Sequence, residues 1–212
     1  MALGTAGAPS EPRFDTGRVC LDLLATTHPA ERLGSVAALR TWIAHSGLVP
    51  PGTPLAHADP SWLTGFRELR CRTAQLVRAH APSAAPGTRP REEAARPYEA
   101  ARPYDLALVR VNDLARAAPP AVRAVRGRDG TLTRAPAGPP TRTALLAAVA
   151  RDLVDLLTDP AARAALRQCE GDDCPVVYVD TSRGRRRRWC SSEVCGNRER
   201  VARHRRRAAA AR

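Results

Sequence analysis

The sequence predicts a mainly α-helical protein: a helical N-terminal domain carrying one small β-hairpin, followed by a C-terminal hairpin-plus-helix module built around cysteines. Three observations predict it. Apolar residues recur at steps of three and four through several segments between residues 14 and 160. A single Asp129-Gly130 pair sits inside an alternating run, the strongest short-range hairpin signal in the chain. Four of the six cysteines fall in the last 44 residues as two matched pairs.

At 212 residues the chain suits one compact domain and one small appendage. Three parts follow: a mobile leader over 1–13, a helical domain over 14–160 and the cysteine module over 161–212. The leader, rich in Ala, Gly, Pro and Ser, has neither the basic start nor the apolar stretch of a secretory signal. No run reaches the ~18 apolar residues of a membrane span. The expected location is cytoplasmic, where paired cysteines bind metal more often than they form disulfides.

The first helical segment is "RVCLDLLATT". Ser35 then opens "SVAALRTWIAHSGL", with Val36, Leu39 and Ile43 on one stripe, Trp42 beside it and Gly47 as the stop. In the next helix Trp62, Phe66, Leu69, Thr73, Leu76 and His80 share a face, with Ser61 as the expected cap. Residues 81–97 have no period and lead into the tandem "EAARPYEAARPY", read as a local duplication in a surface segment. "DLALVRVNDLARAAP" gives a helix with Leu108, Val111, Leu114 and Ala115 inward and Asn112 on or near that face. The last core helix, "TALLAAVARDLVDLLTDP", turns Leu145, Val149, Leu153 and Leu156 or Leu157 inward, with Pro160 beyond its end. A short helix "AARAALRQ" is then expected to deliver the chain to Cys169. Cys20 and Cys71, isolated in apolar or helical surroundings, read as buried small residues.

The module is Cys169-x4-Cys174 and Cys190-x4-Cys195 with fifteen residues between the pairs. Two close pairs separated by a loop of that length suit tetrahedral zinc, and four thiolates close the site against water. An iron–sulfur cluster, a redox disulfide pair and free thiols share the same residues. "PVVYVD", "TSRG" and "RRRRWC" read as a hairpin inside the loop, and "GNRERVARHRRR" as a helix in which Glu199 supports Arg203. His204 lies too far along that helix to be a ligand.

Charge is asymmetric. Of the net +13, the final 30 residues hold 12 Arg against 2 Glu, and the chain has no Lys. A nearly neutral body with a cationic end points to a polyanion, nucleic acid before membrane. The candidate nucleic-acid contacts are Arg185, Arg186, Arg187, Arg188, Asn197, Arg198, Arg200, Arg203, Arg205 and Arg206, since Arg pairs with phosphate or guanine. Asn197 suits adenine or a helix cap. Asp22, Thr26 and Asn112, polar groups within apolar segments, line a pocket or bond one another. The chain shows no paired nucleophile and base and no Gly-rich phosphate loop, so an enzyme is not expected.

"WCSSEVCGNRERVARHRR", with the upstream Cys169 and Cys174, Asp180 and the Arg-Trp-Cys at 188–190, resembles the zinc finger named for its Cys-Gly-Asn-Arg signature, here Cys195 to Arg198. The preceding chain is similar to the ABATE domain through "FDTGRVCLDLLAT", "LRTWIAHSGL", "FRELR", the Asn112 helix and the Asp129-Gly130 turn. One departure is Ala25-Thr26 where the family commonly has Asn-Thr. The resemblance implies Zn2+ on the four cysteines, a DNA-contacting helix after Cys195, and stress- or ligand-responsive transcription regulation through the helical domain. The partner implied is double-stranded DNA, with structured RNA as the alternative and a small-molecule effector of unnamed class.

Overall fold

A computed structural model describes residues 12–80 and 97–210; the expected leader, the aperiodic segment after His80 and the first copy of the duplication lie largely outside them. The described residues form seven helices and two separate two-stranded antiparallel hairpins. None of the helices is long and apolar enough to cross a membrane.

Helix α1 (Val19–Ala25) and α2 (Val36–His45) open the body, and Ser35 Oγ accepts from Ala38 N at 3.1 Å to cap α2. The chain leaves α2 through Gly47 at φ +76, a conformation that disfavours side chains. Helix α3 (Pro60–Arg78) is the centre of the core, burying Trp62, Phe66, Leu69, Thr73 and Leu76. Trp42 packs edge-on against Phe66 with ring centroids 5.8 Å apart. The cap of α3 is Asp59 rather than Ser61. Asp59 Oδ1 accepts from Ser61 N at 2.7 Å, because Pro60, with fixed φ and no N–H to satisfy, takes the first helical position.

Helix α4 (Pro97–Ala115) begins earlier than expected and absorbs the second duplicated copy, with Pro103 inside it. Burial of Ala107 and Val111, and the contact between Tyr104 Oη and His80 Nε2 at 3.1 Å, offset the hydrogen bond that a proline removes. Asn112, expected on or near the inward face, is exposed one residue past the buried Val111, a step of about 100° around the helix. Cys20 is buried as expected, whereas Cys71 is exposed on the outer side of α3.

Strands β1 (Val122–Arg126) and β2 (Leu132–Pro136) form an exposed hairpin around Asp129-Gly130, with Val125 opposite Thr133. Helix α5 (Arg142–Thr158), capped by Thr141, packs Leu145, Val149, Leu153 and Leu156 into the core. Asp159 then caps α6 (Pro160–Ala164).

Beyond α6 the expected helix gives way to strand β3 (Leu166–Gln168), which pairs with β4 (Val177–Val179) in the register Leu166 to Val179 and Gln168 to Val177. The expected return strand over "RRRRWC" is absent from the described residues. Arg185 to Arg188 have no apolar alternation with which to bury a face, whereas Leu166 is fully buried against the body. The strands also join the two ends of the chain. Val179 N donates to Thr16 O and Asp180 N to Ala165 O, both at 2.8 Å. Leu166, Val177 and Val179 belong to the same apolar cluster as α1, α3 and α5.

Candidate metal centre and nucleic-acid interface

The β3–β4 turn carries the first cysteine pair. Cys169 directly follows β3 and donates its N–H to Val176 O at 2.9 Å; Cys174 N donates to Gly171 O at 3.1 Å. Asp173 adopts φ +57 in this tight turn. A Cβ on Gly171 would lie 3.3 Å from Cys195 Cβ and 3.5 Å from Cys169 Sγ, so the backbone passes close beside the sulfurs here and a side chain would need a neighbour to shift slightly. The second pair comes from elsewhere: Cys190 ends the Arg-rich loop and Cys195 is the first residue of α7 (Cys195–Ala210).

The four buried sulfurs lie within 4.8 Å of one another. Cys174 Sγ and Cys190 Sγ are 3.8 Å apart, and Cys190 Sγ and Cys195 Sγ 3.6 Å. A tetrahedron with Zn–S bonds of ~2.3 Å has edges of ~3.8 Å, so the separations fit Zn2+, whereas a disulfide needs ~2.05 Å. All six cysteines are free thiols. Backbone N–H groups support the sulfurs as well, with Cys190 N at 3.2 Å and Gly171 N at 3.4 Å from Cys169 Sγ. Arg13 Nη2 approaches Cys190 Sγ at 3.8 Å.

The thiols of Cys169, Cys174 and Cys190 are too close for all three to ionise alone. Hydrogen bonds from the Cys174 and Cys190 thiols, with the two backbone N–H groups, pull Cys169 down to about 2. The hydrogen bond to the Cys169 thiolate then pushes Cys174 up to about 12, and drives Cys190 well above its ordinary range. A divalent cation at the centre reverses that mutual penalty, which is the electrostatic reason the cluster suits a metal.

Around the sulfurs the Arg run separates into two roles. Arg187 turns inward: it lies over the Tyr178 ring at 4.5 Å, donates Nε to Trp189 O at 2.8 Å, and donates Nη2 to Asp15 O at 2.9 Å and to Cys190 O. Its guanidinium is part of the finger's frame, contrary to its expected place on the nucleic-acid surface. Arg188 is exposed but paired with Glu170 at 2.6 Å, and lies over Trp189. Arg185 and Arg186 are exposed on the loop.

On α7, Asn197, Arg198, Arg200, Arg203, Arg205 and Arg206 are all exposed. Asn197 is the third helical residue and therefore not the cap. Glu199 pairs with Arg206 at 2.6 Å, in place of the expected Arg203. His204 is exposed and outside the sulfur cluster. Gly196 seats the helix start, with its N–H donating to Ser191 O at 2.9 Å, and a Cβ added there would lie 3.5 Å from the Trp189 ring.

The family model described as "Putative stress-induced transcription regulator", ABATE, matches residues 17–160. The chain belongs to the ABATE family. The CGNR zinc finger model matches residues 165–208, which span all four cysteines and most of α7. This ABATE protein therefore carries a zinc site at its C-terminal finger. A comparison with curated proteins returns no match.

Asp22 and Thr26 of the ABATE domain line a cavity of about 360 Å³ whose walls also include Val176 of the finger. Asn112, on α4, is not among its walls. Asp22 Oδ1 accepts from Thr16 N at 3.2 Å and Thr16 Oγ1 at 2.8 Å; burial nevertheless pushes its carboxyl up to about 6. Thr26 Oγ1 donates to Leu23 O at 2.6 Å and accepts from Arg70 Nη1 at 2.8 Å, and Arg70 grips Glu31 through both nitrogens. Trp42, Arg13, His28 and Arg32 are wall residues that the sequence did not mark. Trp42 is 2% exposed and its indole N–H has no hydrogen-bond partner among the described residues, a donor that a cavity occupant would satisfy.

Proposed function

We propose that the chain is a zinc-dependent transcription regulator that grips double-stranded DNA with α7. The observation carrying this reading is the distribution of Arg on that helix. At about 100° per residue, Arg198 and Arg205 fall on one flank and Arg200 and Arg207 on the other, with Arg203 beside the second flank and Arg206 on the metal side, paired with Glu199. Both flanks are exposed. A helix ~10–12 Å across enters a B-form major groove ~12 Å wide, where phosphates line both walls. The major groove of A-form RNA is too deep and narrow for such an insertion, so structured RNA is the second choice.

In this reading the metal is structural, because four thiolates fill its coordination, and the chain is not an enzyme. Zinc fixes the first residue of α7, which aims a helix that has little apolar surface with which to dock itself. Regulation enters through the cavity on the ABATE domain. Arg13 is both a cavity wall and the partner of Cys190 Sγ, so an effector or stress signal that moves Arg13 acts on the finger directly.

The test is fluorescence anisotropy of the zinc-loaded chain against duplex DNA and duplex RNA of one sequence between 50 and 300 mM salt. About six phosphate contacts give a log–log slope near -5 on DNA with weaker binding to RNA. A flat salt dependence, or a preference for the RNA duplex, refutes the proposal.

A further inference from the structure

The geometry points to a base-reading ridge on α7, formed by Asn197, Val201, His204 and Ala208, that faces the floor of the DNA major groove. The inference rests on the duplex-binding role proposed above and adds which residues select sequence.

Helical rotation fixes the placement. At about 100° per residue, Cys195, Gly196, Glu199 and Ala202 fall on one side of α7. That side is the covered one: Cys195 is 3% exposed, the Glu199 side chain is 20% exposed beneath Arg206, and Gly196 is buried against Trp189. Opposite it, at spacings of four, three and four, stand Asn197, Val201, His204 and Ala208, all exposed. Arg198 and Arg205 run along one edge of the ridge and Arg200 and Arg207 along the other, while Arg203 and Arg206 fall towards the metal side, Arg206 pairing with Glu199 there. The outward ridge thus occupies a sector of its own, bordered on both sides by Arg.

The ridge composition has a physical oddity that duplex binding explains. In a helix with six Arg, the outward sector contains no charged side chain, and Val201 stands 44% exposed there. Solvent alone gives no reason to keep the sector farthest from the protein free of Arg. A groove floor does, because base edges offer donors, acceptors and thymine methyls in place of phosphate charge. Asn197 has the paired donor and acceptor that match adenine N6 and N7. Val201 presents methyl groups suited to thymine C5-methyl contact. The His204 imidazole N–H suits a purine N7 or guanine O6 acceptor. Ala208 is small enough to let the far end of the helix approach the floor. From Asn197 to Ala208 the helix rises ~16 Å at ~1.5 Å per residue, which covers about five base pairs at ~3.4 Å each.

The inference therefore assigns specificity to a core of about five base pairs, with an adenine opposite Asn197. The test is selection from a random duplex library with the zinc-loaded full chain, repeated with Asn197→Ala, Val201→Ala and His204→Ala. A charge control is the double variant Arg203→Ala/Arg207→Ala. The expected result is one short motif for the native chain, with each ridge variant relaxing preference at one position by about 10-fold to 100-fold. Affinity for random DNA and its salt slope stay unchanged in the ridge variants. The charge control lowers affinity for every sequence and keeps the motif. Duplex binding without any motif, or a motif that all three ridge variants preserve, overturns the ridge while leaving the phosphate grip intact. Absence of duplex binding by the native chain overturns both.

Discussion

Asp180 is the residue on which the finger's Arg-rich loop depends, and Asp180→Ala measures that dependence. Its carboxylate is buried at 2% exposure, accepting from Ser182 N at 2.9 Å through Oδ1 and from Arg187 N at 3.0 Å through Oδ2. Burial works against the ionised form, but hydrogen bonds from Ser182 and the Arg187 N–H outweigh it and hold the carboxyl below its ordinary value. Hydrogen bonds to a charged acceptor contribute about 1.5 to 3 kcal/mol each. Ser182 is exposed and Arg187 half-buried, so water partly replaces the lost acceptor and the low end applies. Removing both bonds should cost about 3 kcal/mol. Asp180→Asn keeps one acceptor and opposes an amide to the other N–H, so it should lose roughly half of that.

The same loop ends in Cys190, so loosening it by about 3 kcal/mol weakens zinc affinity by about 100-fold where binding and folding are coupled. Urea unfolding of the zinc-loaded protein and a chelator competition read the two quantities. Because the folded carboxyl titrates below the unfolded one, its stabilisation is present above about pH 4 and is lost as pH falls through the folded value. The alanine variant should lack that acid-side loss. A change under ~1 kcal/mol in Asp180→Ala, together with unchanged zinc affinity, would refute this role.

Three further outcomes follow from other sites. Asp22 is raised to about 6 in the folded chain, so it holds its proton more tightly there than when unfolded. Its contribution to stability falls as pH rises from about 4 through about 6, by a few kcal/mol at most. Asp22→Asn, which keeps the acceptor for Thr16, should raise the midpoint at pH 8 and leave it nearly unchanged at pH 4 in thermal unfolding. Zinc removal by chelation should lower the melting temperature of the whole chain, not of the finger alone, because Leu166, Val177 and Val179 are embedded in the ABATE core; differential scanning calorimetry reads this as one shifted transition. Maleimide should label Cys71 alone in the folded, zinc-loaded protein, since Cys20 and the other four cysteines are buried, and mass spectrometry counts the adducts.

Elements with long apolar periods were legible in the sequence. Helices α2, α3 and α5 and the Asp129-Gly130 hairpin follow from spacing and turn chemistry that act locally. The cysteine quartet was legible for the same reason, since two pairs and a loop encode a tetrahedron without reference to the rest of the chain. Strand β3 was not, because Leu166, Arg167 and Gln168 have no alternation of their own and become a strand only by pairing with Val177 to Val179. The start of α4 was hidden by Pro103, which tertiary packing overrides. Arg187 was indistinguishable from its three neighbours because its partners, the Tyr178 ring and Asp15 O, lie far apart in sequence. Asn112 failed by a single residue: Val111 faces the core and its neighbour faces water.

In the proposed function a zinc frame aims α7 at DNA, beyond the attraction of its charge. The most direct measurement of this compares the zinc-loaded native chain with Cys190→Ser, which keeps every Arg, for affinity to one duplex at 150 mM salt. The expected result is at least a 10-fold loss in the variant, with the native chain alone keeping a steep salt slope and a selected motif. Equal affinity and equal slope for the two proteins would contradict it.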